Sequence, residues 1–255
     1  MALLLSIPEA LFGTALTAVL AGLAVWLGAL TARAGLVAFV FGAVIVGVGG
    51  FAYLALVSVF LVASVLATRY RFEEKRRSNV QEGTHGERGV SNVVSHILVP
   101  TALVLANLAA PASLTAARLG VLYTSALAFG SADTFASEFG VLAGHARSIL
   151  TGRAVTPGTS GGISAAGTGW AAVGAIATAG LGFVLLWLFA VPTVHPYLFL
   201  SIAAGAGFLG CQIDSVVGET LENRGWLTKG GTNFVSMAAT VAVAAGLLVA
   251  VGGGP

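Results

Sequence analysis

Two pairs of acids carry the residue types most able to do chemistry in this chain. Asp133 and Glu138 lie in GSADTFASEFG and Asp214 and Glu219 in CQIDSVVGET, each pair five residues apart after a long apolar run. An ionisable group inside an apolar bundle is costly and usually marks a functional site. Carboxylates brought together repel one another unless protons or a cation intervene. A hard divalent ion such as Mg²⁺ answers that repulsion and commonly brings phosphate with it. Residues five apart on a helix point about 140° away from each other. Each pair therefore flanks a cleft or needs a local helix break. The shared D-[ST]-x-x-[SG]-E pattern is short enough to be chance or an old duplication.

Other polar segments could serve the same chemistry. In GRAVTPGTSGG, Gly158, Gly161 and Gly162 can expose backbone N–H groups, and Thr159 and Ser160 add hydroxyls. Lying just before an apolar segment, this stretch suits an anion, or is simply a turn and helix cap. It is not a Walker A loop, since GxxxxGK[ST] is absent. In LTKGGTNFVS, Lys229 can contact a phosphate or snorkel to the surface, and Asn233 opens the last apolar segment. Arg76, Arg77 and Arg88 can clamp phosphate or anchor a loop at an anionic surface. Glu222, beside Asn223 and Arg224, reads as an ordinary interfacial acid. His96 reads as a packed polar residue, and His195 as part of an outer turn. With no HExxH and Cys211 the only cysteine, neither a zinc site nor an intrachain disulfide is expected. A serine-hydrolase GxSxG elbow is also absent.

These residues must be positioned by membrane helices. Of the 255 residues 57% are hydrophobic and 9% charged, far too few charges to cover a water-facing surface. The expected class is an all-α polytopic membrane protein, one integral membrane domain over 1–255. Apolar segments fall near 10–32, 35–68, 91–110, 117–139, 165–190, 197–221 and 232–251. A helix over 35–68 would be about 51 Å long against a hydrocarbon core of about 30 Å, so Gly47–Gly50 is the natural break. That gives eight crossings, or seven if the segment is one broken span. The N-terminus lacks the basic flank of a signal peptide and reads as a retained helix.

The basic loop at 69–90 belongs in the cytosol by the positive-inside rule. Alternating outward from it puts eleven of the twelve basic residues inside, all but Arg118. The glycine-containing loop at 140–164, with Arg147 and Arg153, then also faces the cytosol, as do all four paired acids. An integral protein of the cell membrane with a cytosolic site is expected, with the lipid bilayer as its partner. No soluble basic patch supports nucleic-acid binding.

Residues 123–169 together with GFLGCQIDSVVGETLENRG and KGGTNFVSMAAT resemble the DUF92 family of integral membrane proteins. That family is similar to the eukaryotic transmembrane protein 19 and the plastid phytyl-phosphate kinase of vitamin E synthesis. The resemblance covers most of the chain; the first 68 residues match only as apolar helices. It implies a CTP-dependent kinase that converts a prenyl (phytyl or geranylgeranyl) monophosphate to the diphosphate. The family's acidic patterns fall on Asp133 to Glu138 and on Asp214 to Glu219, its glycine-rich segment on 157–162 and its Asn on Asn233. The stretch 88–107 departs from the family pattern, and the resemblance assigns no role to Asn92. On this reading Asp133, Glu138, Asp214 and Glu219 hold Mg²⁺, residues 158–162 bind CTP phosphate, and Lys229 with Arg76 or Arg88 balances charge. A lipid cytidylyltransferase, a polyprenol kinase and a secondary transporter remain the alternatives; the transporter is favoured by the glycines and the repeated acids.

Overall fold

A computed structural model describes residues 6–252. In chain order its helices are α1 (Ile7–Trp26), α2 (Ala32–Gly49), α3 (Phe51–Arg69), the short α4 (Phe72–Arg77), α5 (Val90–Ala109) and α6 (Ala116–Gly140). Strands β1 (Ala146–Ser148), β2 (Ala154–Val155) and β3 (Gly162–Ile163) follow, then α7 (Ala165–Leu188), α8 (Pro196–Val217) and α9 (Lys229–Ala250). The long 35–68 segment does break. Gly50, with φ 91°, joins α2 to α3 in a conformation that side-chain-bearing residues avoid.

Among the described residues, seven helices are long and apolar enough to cross a membrane. The remaining long helix, α6, is less apolar because protein rather than lipid surrounds it. Helices α3, α5, α7, α8 and α9 pack around it, and every residue from Leu119 to Ala132 is buried. Polar groups on α6 thus escape the hydrocarbon core, where an unsatisfied one costs several kcal/mol. Glycines allow the close approach. A Cβ at Gly174 would sit 2.7 Å from the Ser131 carbonyl oxygen, and one at Gly207 only 2.8 Å from Ala128 C. Such small-residue seams are how membrane helices gain packing contact. Outside this ring, α2 packs on α5 and α1 packs on α2.

Helix starts follow local chemistry. The side chains of Thr31, Thr115, Ser164 and Thr228 accept from backbone N–H groups in the first turns of α2, α6, α7 and α9. Pro196 opens α8, where its missing N–H costs nothing. At the end of the bundle that gathers the basic residues, the α1–α2 turn pairs with the loop before α5. Arg88 N donates to Ala29 O at 3.0 Å and Thr31 N donates to Arg88 O at 3.2 Å. Exposed Trp26, Tyr70, Trp170 and Trp226 ring this end, with Trp187 and Tyr197 at the other. That is the distribution of aromatic belts at two membrane–water interfaces.

The segment 140–164 is more ordered than a glycine turn. It forms a small antiparallel sheet, order β2-β1-β3, with Ala146 opposite Val155 and Arg147 opposite Ile163. This sheet is an addition to the all-helical expectation, and it carries the glycine-rich stretch over the bundle.

Candidate active site: a polar cleft at the basic end

The last turns of α6 and α8, the first turns of α7 and α9 and the glycine-rich loop enclose a cleft of about 150 Å³. Asp133, Asp214, Glu222, Lys229, Asn233 and residues 158–162 line it. The two acid pairs divide between cleft and scaffold. On α6, Asp133 faces the cleft while Glu138, more than a third of a turn around the helix, faces α3. Glu138 is buried and accepts from Thr68 Oγ1 at 2.6 Å and Lys75 Nζ at 2.7 Å. Lys75 also donates to Ala67 O at 2.9 Å and Thr68 O at 3.0 Å, which uses all three ammonium protons and closes the C-terminal end of α3.

On α8 the helix widens into a π-turn over Gly218–Glu222, a distortion common at functional sites. Glu219 there accepts from Ser148 Oγ at 2.5 Å and Leu150 N at 3.3 Å, tying down the small sheet. Glu222 is drawn to the cleft and accepts from Ser160 Oγ at 2.6 Å, while Asn223 Nδ2 donates to Ser160 O at 3.0 Å. The glycine-rich loop is thereby pinned to the end of α8.

Gly161 sets how closely the loop lies. Its φ is 82°, and a Cβ would collide with Glu219 Cβ and come within 2.9 Å of Ser215 O. Within the loop, Thr159 N donates to Thr156 O and Gly162 N to Thr159 O. Among the described residues no backbone carbonyl takes the N–H groups of Gly158, Ser160 or Gly161, which are left as donors for an anion. Gly161→Ala is expected to weaken anion or nucleotide binding at least 10-fold, since it lifts the loop and misplacing a site by 1 Å can cost about 100-fold. Titration of a fluorescent nucleotide against the purified variant checks this; unchanged affinity would mean the loop does not touch the ligand.

Asp214 Oδ1 and the Ser236 hydroxyl on α9 are both buried and lie near each other, too loosely placed for a regular hydrogen bond. Among the described residues neither Asp133 nor Asp214 forms an ion pair. Among the described residues no group of three or more His, Cys, Asp or Glu gathers to hold a metal on protein ligands alone. Mg²⁺ commonly takes one or two carboxylates and completes its shell with water and substrate phosphate. The loosely held Asp214 oxygen and the facing Asp133 fit that need; Glu138 and Glu219 are already engaged by Lys75, Thr68, Ser148 and Leu150.

A chain of contacts leads from the cleft to the buried ion pair. Lys229 Nζ meets Glu82 Oε2 at 3.2 Å, and Glu82 Oε1 accepts from Asn92 Nδ2 at 3.5 Å. Asn92 Oδ1 accepts from Arg88 Nη1 at 2.9 Å, and Arg88 Nη2 donates to Thr68 Oγ1 at 3.0 Å. Arg88 is thus a buried strut behind the cleft. Arg76 is elsewhere: it is exposed on α4 and faces Glu73 at 3.4 Å. Burial pushes the Glu82 carboxyl up, but Lys229 and Arg88 outweigh it and hold it below its ordinary value. A depressed acid stabilises the fold at neutral pH and loses that contribution as pH falls through its lowered pKa. Glu82→Gln is therefore expected to melt below the parent protein at pH 7, by under about 1 kcal/mol because Lys229 is largely exposed. The gap should close in acid, below the ordinary Glu value of 4.5. Melting curves across pH read this directly, and a gap that widens in acid would contradict it.

The family model described as integral membrane protein DUF92 matches residues 15–248. The chain belongs to the DUF92 family. It is 31% identical over 189 residues to an uncharacterized membrane protein of Methanocaldococcus jannaschii, covering 73% of this chain and 72% of that one. Protein PGR of Arabidopsis thaliana is 33% identical over 195 residues, 69% of this chain and 67% of its own. An uncharacterized membrane protein of Synechocystis is 31% identical over 215 residues, 82% of this chain and 79% of its own. No solved structure matches. The DUF92 match spans the whole cleft, from Asp133 to Asn233.

Several residues at the cleft carry no sequence signal of their own. Glu82 sits in a plain polar loop, Lys75 in a charge run, and Ser236 inside an apolar helix. Glu222 resembles any acid at a membrane edge until the π-turn of α8 brings it to the glycine-rich loop.

Proposed function

We propose that this DUF92 protein is a Mg²⁺-assisted phosphotransferase that moves the γ-phosphoryl group of CTP to a prenyl monophosphate at the cytosolic membrane face. The observation that carries this reading is the meeting of two uncommitted aspartates, a lysine and a glycine-rich loop with free N–H groups in one interfacial cleft. The resemblance to the phytyl-phosphate kinase supplies the nucleotide and the prenyl acceptor.

Phosphoryl transfer asks a protein mainly for alignment and charge neutralisation. Gly158, Ser160 and Gly161 N–H groups hold the nucleotide phosphates. Asp133 and Asp214 would hold Mg²⁺, which would supply positive charge against the nucleotide phosphates. Lys229 meets the charge on the moving group, and Asn233, buried at the start of α9, orients it. A phosphate oxygen of the acceptor forms the new P–O bond as the bond from the γ-phosphorus to the bridging oxygen breaks. CDP departs with that oxygen. The acceptor is already anionic, so no general base is required.

The test is a reaction of purified protein with Mg²⁺, γ-labelled CTP and phytyl or geranylgeranyl monophosphate. Label in a prenyl diphosphate with release of CDP is the expected result. Pyrophosphate release with a CDP-linked lipid would instead establish a cytidylyltransferase. Absence of transfer from a folded protein, across nucleotides and chain lengths, would overturn the kinase reading.

A further inference from the structure

A second cavity lies on the far side of the Glu82–Asn92 contact. It occupies about 310 Å³ between α1, α2, α3 and α5, and its walls are almost wholly apolar. Leu23 of α1, Leu27 just after it, and Leu66 and Val62 of α3 line it and are themselves exposed, so the chamber opens sideways, toward lipid, between α1 and α3. Its inner end is different in kind. There Phe60 stacks on His96, and Asn92 closes the wall.

Unmet polar atoms concentrate at that wall. His96 is buried, its Nδ1 lies 2.9 Å from Asn92 O, and its Nε2 has no partner. Arg88 donates to Asn92 Oδ1 and to Thr68, yet its buried Nε is unpartnered as well. A buried unsatisfied polar atom costs about 1–3 kcal/mol. One of them belongs to His96 at the head of the apolar chamber and the other lies behind Asn92, so this wall is a place where a polar ligand atom belongs. Asn92 then reaches Glu82, at the 3.5 Å limit of a hydrogen bond, and Glu82 reaches Lys229 of the cleft.

We propose that this chamber holds the hydrocarbon chain of the lipid monophosphate acceptor, with Asn92, Arg88 and His96 marking the boundary where its phosphate end begins. The inference rests on the lipid-phosphate reading of the cleft and adds the place where chain length is measured. Three features favour this occupant over a bulk lipid. The chamber opens to the bilayer, its inner end carries Asn92 and an unpaired imidazole nitrogen with Arg88 bonded behind Asn92, and that end abuts the phosphoryl-transfer cleft. A neutral apolar ligand would leave His96 Nε2 unmet.

The experiment compares C10 and C20 isoprenoid monophosphates with Ala38→Phe and Ser58→Phe, two changes that fill the chamber from different walls. Each is expected to raise the ratio of KM for C20 to KM for C10 at least about 10-fold, since one methylene in a tight pocket is worth 10–200-fold. KM for CTP should stay unchanged. A ratio unmoved in both folded variants would overturn the proposal. A C20 monophosphate with a photoreactive tail supplies a readout that needs no turnover. Labelling on α1 and α3, lost with Ala38→Phe and kept with Asp133→Asn, supports the chamber even if the phosphotransferase reading fails. Labelling spread evenly over lipid-facing helices sinks it even if transfer is observed.

Discussion

Replacing Glu138 with Ala is expected to destabilise the protein by about 3–5 kcal/mol, the usual cost of stranding one member of a buried ion pair. Lys75 is fully buried, and Glu138 is nearly so, with Nζ and Oε2 2.7 Å apart. Without the carboxylate, the ammonium keeps two backbone carbonyls but has no counter-charge, and Arg88 loses the acceptor chain through Thr68. The α4 segment should then release, and with it the following loop whose Glu82 holds Lys229. Thermal melting followed by tryptophan fluorescence in detergent reads the loss. The double change Glu138→Leu with Lys75→Met should recover most of it, because an apolar pair of similar size avoids desolvating either charge. Equal melting of parent and Glu138→Ala would show that the pair does not hold the loop.

The aspartates should behave in the opposite way. Asp133→Asn and Asp214→Asn are each expected to lower phosphoryl transfer at least about 100-fold, the cost of removing one group aimed at transition-state charge. Neither should lower the melting temperature much, because neither acid forms an ion pair and Asp214 has only the loosely placed Ser236 hydroxyl beside it. Loss in kcat with KM for CTP little changed would place the interaction in the transition state; loss in KM alone would make it simple binding. Stable variants with ordinary rates would remove both residues from the chemistry. The contrast between aspartate and glutamate within each pair is a direct consequence of their angular separation on the helix.

Much of the architecture is written in local chemistry. Gly50 breaks the 35–68 segment within the cluster Gly47–Gly50, and the basic residues mark one end of the bundle. The central place of α6 is foreshadowed only faintly. Its Ser, Thr and Asp content lowers its hydropathy, yet nothing in the segment itself tells that five helices will cover it. Asp133, Asp214, Lys229, Asn233 and the 158–162 loop are legible because unusual residue types stand out in apolar surroundings. The division of labour between Asp133 and Glu138 is not, since it depends on Lys75 folding back from α4, 63 residues away in sequence. Glu222 depends on the π-turn, and the unmet atoms of Arg88 and His96 exist only once α3, α5 and the 78–89 loop have packed.

The proposed function depends most on Asp133 and Asp214 holding a divalent ion together with the nucleotide. Electron paramagnetic resonance of Mn²⁺ titrated into the detergent-purified protein with CTP measures this without turnover. The expected result is CTP-dependent bound Mn²⁺ that disappears in the Asp133→Asn/Asp214→Asn double variant and survives in Glu219→Gln. Nucleotide-dependent Mn²⁺ binding undiminished in the folded double variant would contradict it.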